Sequence, residues 1–143
     1  MKSDSGWTLD NFIRCMGDAE LRIMPYSLMG NFVYIPKITG NLKSIGFVLR
    51  PEAQFYVCLE HLKFTLRKIG CTMSDLRIMK CYYTSSRLLP GFKKIFARLY
   101  PDINVYWENT GVSALHHKEQ VVELACIVFK VNSCQNRYVH ADR

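Results

Sequence analysis

The sequence predicts an α+β fold in which a mixed β-sheet carries two helices packed on one face. Two segments repeat apolar residues at helical spacing, and several others alternate apolar and polar residues as strands do. They follow the order β-β-(β)-α-β-α-β-β, which suits helices packed over a single sheet. We place this domain at residues 21–133, after an N-terminal extension at 1–20 and before a polar C-terminal tail at 134–143.

The first third of the chain contains the extension and the first strands. Strands are predicted at residues 22–26 and 31–35 with Met29-Gly30 between them, and a short third strand is predicted near 47–49. The extension has apolar residues spaced for a short amphipathic turn or helix, namely Trp7, Leu9, Phe12 and Ile13.

The two helical segments have recognisable ends. Pro51 suits the first turn of the first helix, and Gly70 suits a left-handed cap after it. Ser85 or Ser86 begins the second helix, which Pro101 ends. Each helix has one apolar stripe, formed by Phe55, Leu59, Leu62 and Leu66 in the first and by Phe92, Ile95, Phe96 and Leu99 in the second. These stripes predict the helix faces that pack on the sheet.

Further strands are predicted after each helix. Residues 76–84 alternate as a strand, and residues 104–107 form another, followed by a turn or bulge at Asn109-Thr110-Gly111. The last strand lies in residues 121–131, the longest apolar run of the chain.

One carboxylate, Glu123, lies near the start of that last strand. Alternation gives Glu123 mostly apolar neighbours on its own face, whereas Cys126 falls on the opposite face and is predicted to be core. An unpaired carboxylate is costly to bury. Glu123 therefore lies at a solvated strand end, or it meets a partner, a ligand or a subunit boundary.

Composition and charge exclude several classes of protein. A chain that is 49% hydrophobic and 22% charged is globular rather than disordered or fibrous. No apolar run approaches the roughly 18 residues of a membrane span, and no secretory signal is evident, so we expect a cytoplasmic protein without a membrane partner. The net charge of +7 comes from scattered basic residues without an RNA-binding signature, so nucleic-acid binding is the least favoured interpretation.

Motifs for cofactors and metals are missing from the sequence. Neither a phosphate-binding nor a dinucleotide-binding glycine loop occurs, and the Gly-x-Ser-x-Gly elbow of acyl hydrolases is absent. Cys58 and His61 stand one helical turn apart, but no second pair of zinc ligands accompanies them. His116-His117 is interpreted as a solvated loop, and the six cysteines as reduced thiols. We therefore expect no metal and no cofactor.

Local sequence runs resemble the Rid (YjgF/YER057c/UK114) family of reactive-intermediate imine deaminases. The runs are Pro25-Tyr26-Ser27 with Gly30-Asn31-Phe32-Val33-Tyr34; Gln54 with Leu59-Glu60-His61-Leu62; Ser74-Asp75-Leu76 through Tyr83; and Val122-Glu123-Leu124. Together they span roughly residues 25–131. The resemblance implies a chorismate-mutase-like fold, a homotrimer and a ligand pocket at each subunit boundary.

The resemblance also implies site residues and a substrate class. Glu123 falls on the family's glutamate, which orients or activates the water that attacks an imine carbon. Tyr26 and Ser27 fall on pocket-lining positions. The implied ligand is a small carboxylate-bearing imine of the 2-iminobutanoate or 2-iminopropanoate type, or a related metabolite.

Two positions depart from the family pattern. The family clamps the substrate carboxylate with an arginine in Pro-Ala-Arg before the penultimate strand, whereas this chain has no arginine from residue 101 to 134. The family's first hairpin ends in Ser-Gly, where this chain is read as Pro36-Lys37. Lys37 is either a solvated hairpin residue, the favoured interpretation, or a point charge that substitutes for the arginine. Two functions therefore stay open: an imine or enamine deaminase, or a non-catalytic module that binds a small molecule or partner, as in the C-terminal part of diphthine–ammonia ligases.

Overall fold

A computed structural model describes residues 8–130, whose strands form a five-stranded mixed sheet and a separate two-stranded hairpin. The sheet has the order β1-β2-β7-β5-β6, and its neighbours are antiparallel except for the parallel pair β5 and β6. Its strands are β1 (Ser27–Met29), β2 (Phe32–Ile38), β5 (Leu76–Tyr83), β6 (Tyr106–Gly111) and β7 (Val122–Phe129). The α+β class and the mixed sheet predicted from the sequence are confirmed.

Two long helices cover one face of this sheet. They are α2 (Pro51–Lys68) and α3 (Leu89–Leu99), and their apolar stripes pack against alternate residues of the strands, as predicted. Phe55 of α2 and Phe92 of α3 stack with their ring centroids 4.7 Å apart in the middle of this core. Gly70 follows α2 with a φ of 82°, the left-handed conformation expected of its cap. None of the helices within residues 8–130 is long and apolar enough to cross a membrane.

The first strands differ from the prediction. The strand predicted at residues 22–26 is wrong: β1 begins only at Ser27, because the segment before it packs on α2 instead of pairing with a strand. Met24 is buried, and its backbone N–H donates to Oγ1 of Thr65 on α2 at 2.8 Å. The short strand predicted near 47–49 is β4 (Gly46–Phe47), which pairs with β3 (Asn41–Leu42) outside the main sheet.

The turn predicted at Asn109-Thr110-Gly111 is wrong, because these residues continue β6. Cys81 of β5 is the register partner of Asn109, and Tyr83 is that of Gly111. Parallel pairing along the whole of β6 supplies backbone hydrogen bonds that outweigh the turn preference of Asn and Gly.

The extension, as far as the structure describes it, is docked on the helices. It contains α1 (Leu9–Cys15), and Phe12 packs edge-on against Tyr56 of α2 with ring centroids 6.1 Å apart. Asp10 pairs with Arg98 of α3 at 3.1 Å. Because the extension packs there, the side of α2 that faces away from the sheet is also buried, and Val57 on that side is fully buried. Residues 1–7 and the predicted tail at 134–143 lie outside the described residues.

Candidate functional site

The face of the sheet opposite the helices carries Glu123. On β7 the helix-facing residues are buried, and the other face carries Glu123, Ala125, Ile127 and Phe129, in agreement with the predicted alternation. Cross-strand register then orders this open face into rows. Two rows are apolar: the first contains Met29, Phe32 and Phe129, and the second contains Tyr34, Ile127, Ile78 and Tyr106. The next two rows are more polar: one contains Ala125, Lys80 and Glu108, and the other contains Glu123, Tyr82 and Thr110.

Glu123 lies at the polar end of this face. It is the second residue of β7, it is half-buried, and Tyr82 of β5 is its register partner. Nε2 of Gln120 donates to Oε1 of Glu123 at 3.1 Å, and Gln120 itself is buried. Glu123 therefore does not pay the cost of an unpaired buried carboxylate, because it lies at the end of its strand and accepts a hydrogen bond from Gln120. Within residues 8–130 the other carboxylate oxygen of Glu123 has no hydrogen-bond donor, so a ligand or water can bind it.

Gln54 fixes the loop that leads into β7. This side chain lies in the first turn of α2 and is fully buried. Its Nε2 donates to the carbonyls of Val48 at 2.9 Å and Glu119 at 2.8 Å, and its Oε1 accepts from the N–H of Val121 at 2.9 Å. The amide thus satisfies three backbone groups, two of which, on Glu119 and Val121, flank Gln120. Because Gln120 binds Glu123, the helix indirectly positions the carboxylate.

The end of β2 differs from the expectation at Pro36-Lys37. A register irregularity lies between Ile35 and Ile38, and the strand continues through it to Ile38. The residues after the strand are Thr39 and Gly40, a hydroxyl residue followed by glycine. A Cβ on Gly40 would lie 2.5 Å from the backbone oxygen of Gln54, so only glycine fits where β2 meets α2.

Among residues 8–130, three cations lie on or near the open face. Lys37 is exposed in the irregular part of β2. Arg77 of β5 is exposed, and it donates to the carbonyls of Ser74 and Leu76 and lies over the ring of Phe129. Lys80 of β5 is half-buried, and its Nζ lies 5.9 Å from the ring centroid of Tyr34. Sequence reasoning missed Lys80, although the alternation of residues 76–84 already gave it the same face as Tyr82.

Tyr26 and Ser27 lie away from Glu123 in a single copy of the chain. Ser27 is the register partner of Tyr34, two strands and four residues from Glu123, which corresponds to about 16 Å. Tyr26 precedes β1 and lines a groove beside the end of α2. One copy therefore does not assemble the predicted site residues, and their roles stay predictions.

Cys58 and His61, the close pair of potential zinc ligands, are fully buried in α2. Nδ1 of His61 lies 2.7 Å from the carbonyl of Thr39, whereas its Nε2 has no hydrogen-bond partner in the described part of the chain. Burial lowers the pKa of His61 and raises the pKa of Cys58 well above its usual value. Both groups are thus held uncharged, and residues 8–130 contain no cluster of three or more His, Cys, Asp and Glu side chains that could hold a metal.

Comparison with known proteins matches this fold to solved structures. No family model and no curated protein matches the sequence. RidA from the Antarctic bacterium Psychrobacter sp. is 19% identical with a TM-score of 0.70, covering 80% of this chain and 96% of that one. A YjgF/YER057c/UK114 family member from Mycobacterium tuberculosis is 19% identical with a TM-score of 0.65, covering 73% and 83%. TdcF from E. coli, solved with bound serine, is 14% identical with a TM-score of 0.68, covering 77% and 91%. The chain therefore has the chorismate-mutase-like fold of the YjgF/YER057c/UK114, or Rid, family.

Proposed function

We propose that the chain is a member of the Rid family that binds a small carboxylate-bearing imine at a subunit boundary and hydrolyses it with Glu123. The observation that supports this proposal is the position of Glu123 and its hydrogen bond. Its carboxylate is half-buried on the open face of the sheet, and Gln120 holds one of its oxygens. A carboxylate used only for solubility needs no such fixation. The likeness to RidA and to the serine-bound TdcF supports a small polar metabolite as the ligand.

The proposed reaction is addition of water to a carbon–nitrogen double bond. Glu123 accepts a proton from water while the water oxygen bonds to the imine carbon, and the imine nitrogen takes up a proton from solvent. The carbon–nitrogen bond of the resulting carbinolamine then breaks, and protonated Glu123 returns its proton to the nitrogen, which leaves as ammonia. The hydroxyl group loses its proton to solvent, and the carbon becomes the carbonyl of a 2-oxo acid. Water is the only co-reactant, so no cofactor is required.

A homotrimer is part of this proposal. The apolar rows of the open face include large exposed side chains, with Met29 51% and Tyr106 66% exposed, and such a surface is typical of an interface. A second copy packed there also offers a route for Tyr26 and Ser27 to reach Glu123, which they do not approach within one copy. Light scattering coupled to size-exclusion chromatography tests this assembly, and a monomer at micromolar concentration would contradict it.

The test of activity uses 2-aminoacrylate generated enzymatically, with release of ammonia and pyruvate followed in time. We expect the protein to accelerate release above the rate without protein, and E123Q to lose most of this acceleration. Glu119 provides the matched control, because its side chain is exposed four residues before Glu123. E119Q should retain wild-type activity. A wild-type rate equal to the rate without protein rules out the hydrolase.

A second candidate function is a Rid-fold module that binds a small molecule or partner without turnover. The absence of arginine from residue 101 to 134 favours it, because the bidentate carboxylate clamp of active members is then missing. Isothermal titration with pyruvate and with serine separates the two candidates. Saturable binding without accelerated hydrolysis supports the module, and binding with accelerated hydrolysis supports the enzyme.

A further inference from the structure

Lys80 lies in a polar row of the open face, and its side chain extends across β7. Its register partners are Ala125 on β7 and Glu108 on β6. Its Nζ nevertheless lies 5.9 Å from the ring centroid of Tyr34, on β2, which is on the far side of β7. Ala125 is only 1% exposed although it is on the open face, as expected if the lysine side chain passes over its methyl group. A larger residue at position 125 would block this path.

The N–H donors of the Lys80 ammonium group have no acceptor among the described residues. Within residues 8–130 it forms neither an ion pair nor a hydrogen bond, and the contact it makes is with the ring of Tyr34. An aromatic ring attracts a cation but accepts no conventional hydrogen bond. The three N–H donors of a half-buried lysine are therefore directed to solvent or to a ligand on this face.

The spacing between Lys80 and Glu123 fits a small ligand. Lys80 is opposite Ala125, two residues along β7 from Glu123, so the two side chains are diagonal neighbours. Diagonal neighbours in a sheet lie about 7–8 Å apart, with their Cβ atoms somewhat closer. By register Tyr34 lies opposite Ile127, on the side of Ala125 away from Glu123. The flexible side chain of Lys80 therefore has to turn back along β7 to meet a carboxylate next to Glu123. A molecule whose carboxylate is bonded to its electrophilic carbon can place the carboxylate at Lys80 and that carbon near Glu123. The 2-imino and 2-oxo acids have this geometry.

We propose that Lys80 is the residue that binds the ligand's carboxylate, in place of an arginine clamp. This inference rests on the proposed function for the identity of the ligand. Lys37 is less suited, because it is exposed in the irregular part of β2. Arg77 is less suited because its guanidinium already donates to two carbonyls. Lysine acts as a point charge without a fixed fork, so it tolerates variation in the carboxylate's orientation.

The experiment measures binding of pyruvate to the full chain by isothermal titration, with methyl pyruvate as the uncharged probe. We expect K80M to weaken pyruvate binding on the order of 10- to 100-fold and to leave methyl pyruvate binding unchanged. K80R should retain binding, which shows that the site is intact. K37M removes a lysine charge from β2, on the other side of β7, and should bind pyruvate as the wild type does.

The outcomes separate this inference from the proposed function. Pyruvate binding that depends on Lys80 without hydrolysis of 2-aminoacrylate supports the inference and rejects the enzyme. Hydrolysis with an unchanged KM in K80M supports the enzyme and overturns the inference. Absence of saturable pyruvate binding by the wild type, or loss of binding in K37M but not in K80M, also overturns it.

Discussion

Replacement of Gln54 by methionine should release the loop that positions Glu123. Methionine has nearly the length of glutamine and fills the buried space, but it supplies no amide. The carbonyls of Val48 and Glu119 and the N–H of Val121 then lose their partner. We expect Q54M to keep the fold while the loop before β7 becomes mobile.

The magnitude follows from these three hydrogen bonds. A buried hydrogen bond contributes about 1 kcal/mol net, and a polar group left unpaired costs about 1–3 kcal/mol. Val121 and Val48 are half-buried and Glu119 is exposed, so water replaces part of what is lost. The free energy of unfolding should therefore fall by about 2–4 kcal/mol.

Urea denaturation, hydrogen exchange and the binding assay together test this expectation. T65V is the control. Thr65 is as deeply buried as Gln54, but its hydroxyl bonds to the backbone of Met24 and His61 and not to the loop before β7. Both variants should lose stability, but only Q54M should expose the Val121 amide to exchange and weaken pyruvate binding. A Q54M protein with wild-type stability and a protected Val121 amide would refute the reasoning.

Three further predictions concern the fold around the site. G40A should lose about 1–3 kcal/mol of stability, because its Cβ would meet the Gln54 backbone at 2.5 Å, whereas G17A, with open space around its Cβ, should be neutral in the same denaturation assay. Stability should fall as the pH drops below about 6.5, because burial lowers the pKa of His61 and the unfolded chain takes up the proton first. The slope is at most about 1.4 kcal/mol per pH unit, and a wild-type curve as flat as that of H61Q would contradict this assignment. Iodoacetamide at neutral pH should modify only the exposed one of the described cysteines, Cys15, in the native protein. Peptide mass spectrometry should find the buried thiols unmodified, namely Cys58, Cys71, Cys81 and Cys126.

The sequence predicts the parts of this fold that depend on local periodicity. The stripe of α2 and the alternation of β7 each identify a buried face without knowledge of the neighbours, and both are confirmed. The start of β1 was misplaced because Met24 bonds to Thr65, 41 residues away, and no local pattern records such a contact. The end of β6 was misplaced for the same reason, since its pairing with β5 is a property of the sheet.

The candidate site was harder to predict because it depends on strand order. Glu123 stands out within its own strand, since it interrupts an apolar run. Lys80 shares the expected face of its strand, but its relation to Glu123 exists only because β5 and β7 are neighbours, and they are separated by α3 and β6 in the chain. Gln120 likewise has no signal in the sequence that ties it to the carboxylate.

The arrangement of rows on the open face constrains how copies of the chain can assemble. Burial of Lys80 or Glu123 against a dry partner surface would leave a charge unpaired, and that cost exceeds what one apolar contact returns. Burial of Met29, Phe32 and Phe129 carries no such penalty. A second copy should therefore cover the apolar rows and leave the polar rows beside water or a ligand. This places a cleft with the carboxylates of Glu123 and Glu108 and the ammonium of Lys80 at the edge of the interface. Introducing a charge at the apolar end tests this division: F32E should dissociate the assembly, whereas K80M, at the polar end, should leave it intact on size-exclusion chromatography. Dissociation by K80M but not by F32E would reverse the assignment of the two ends.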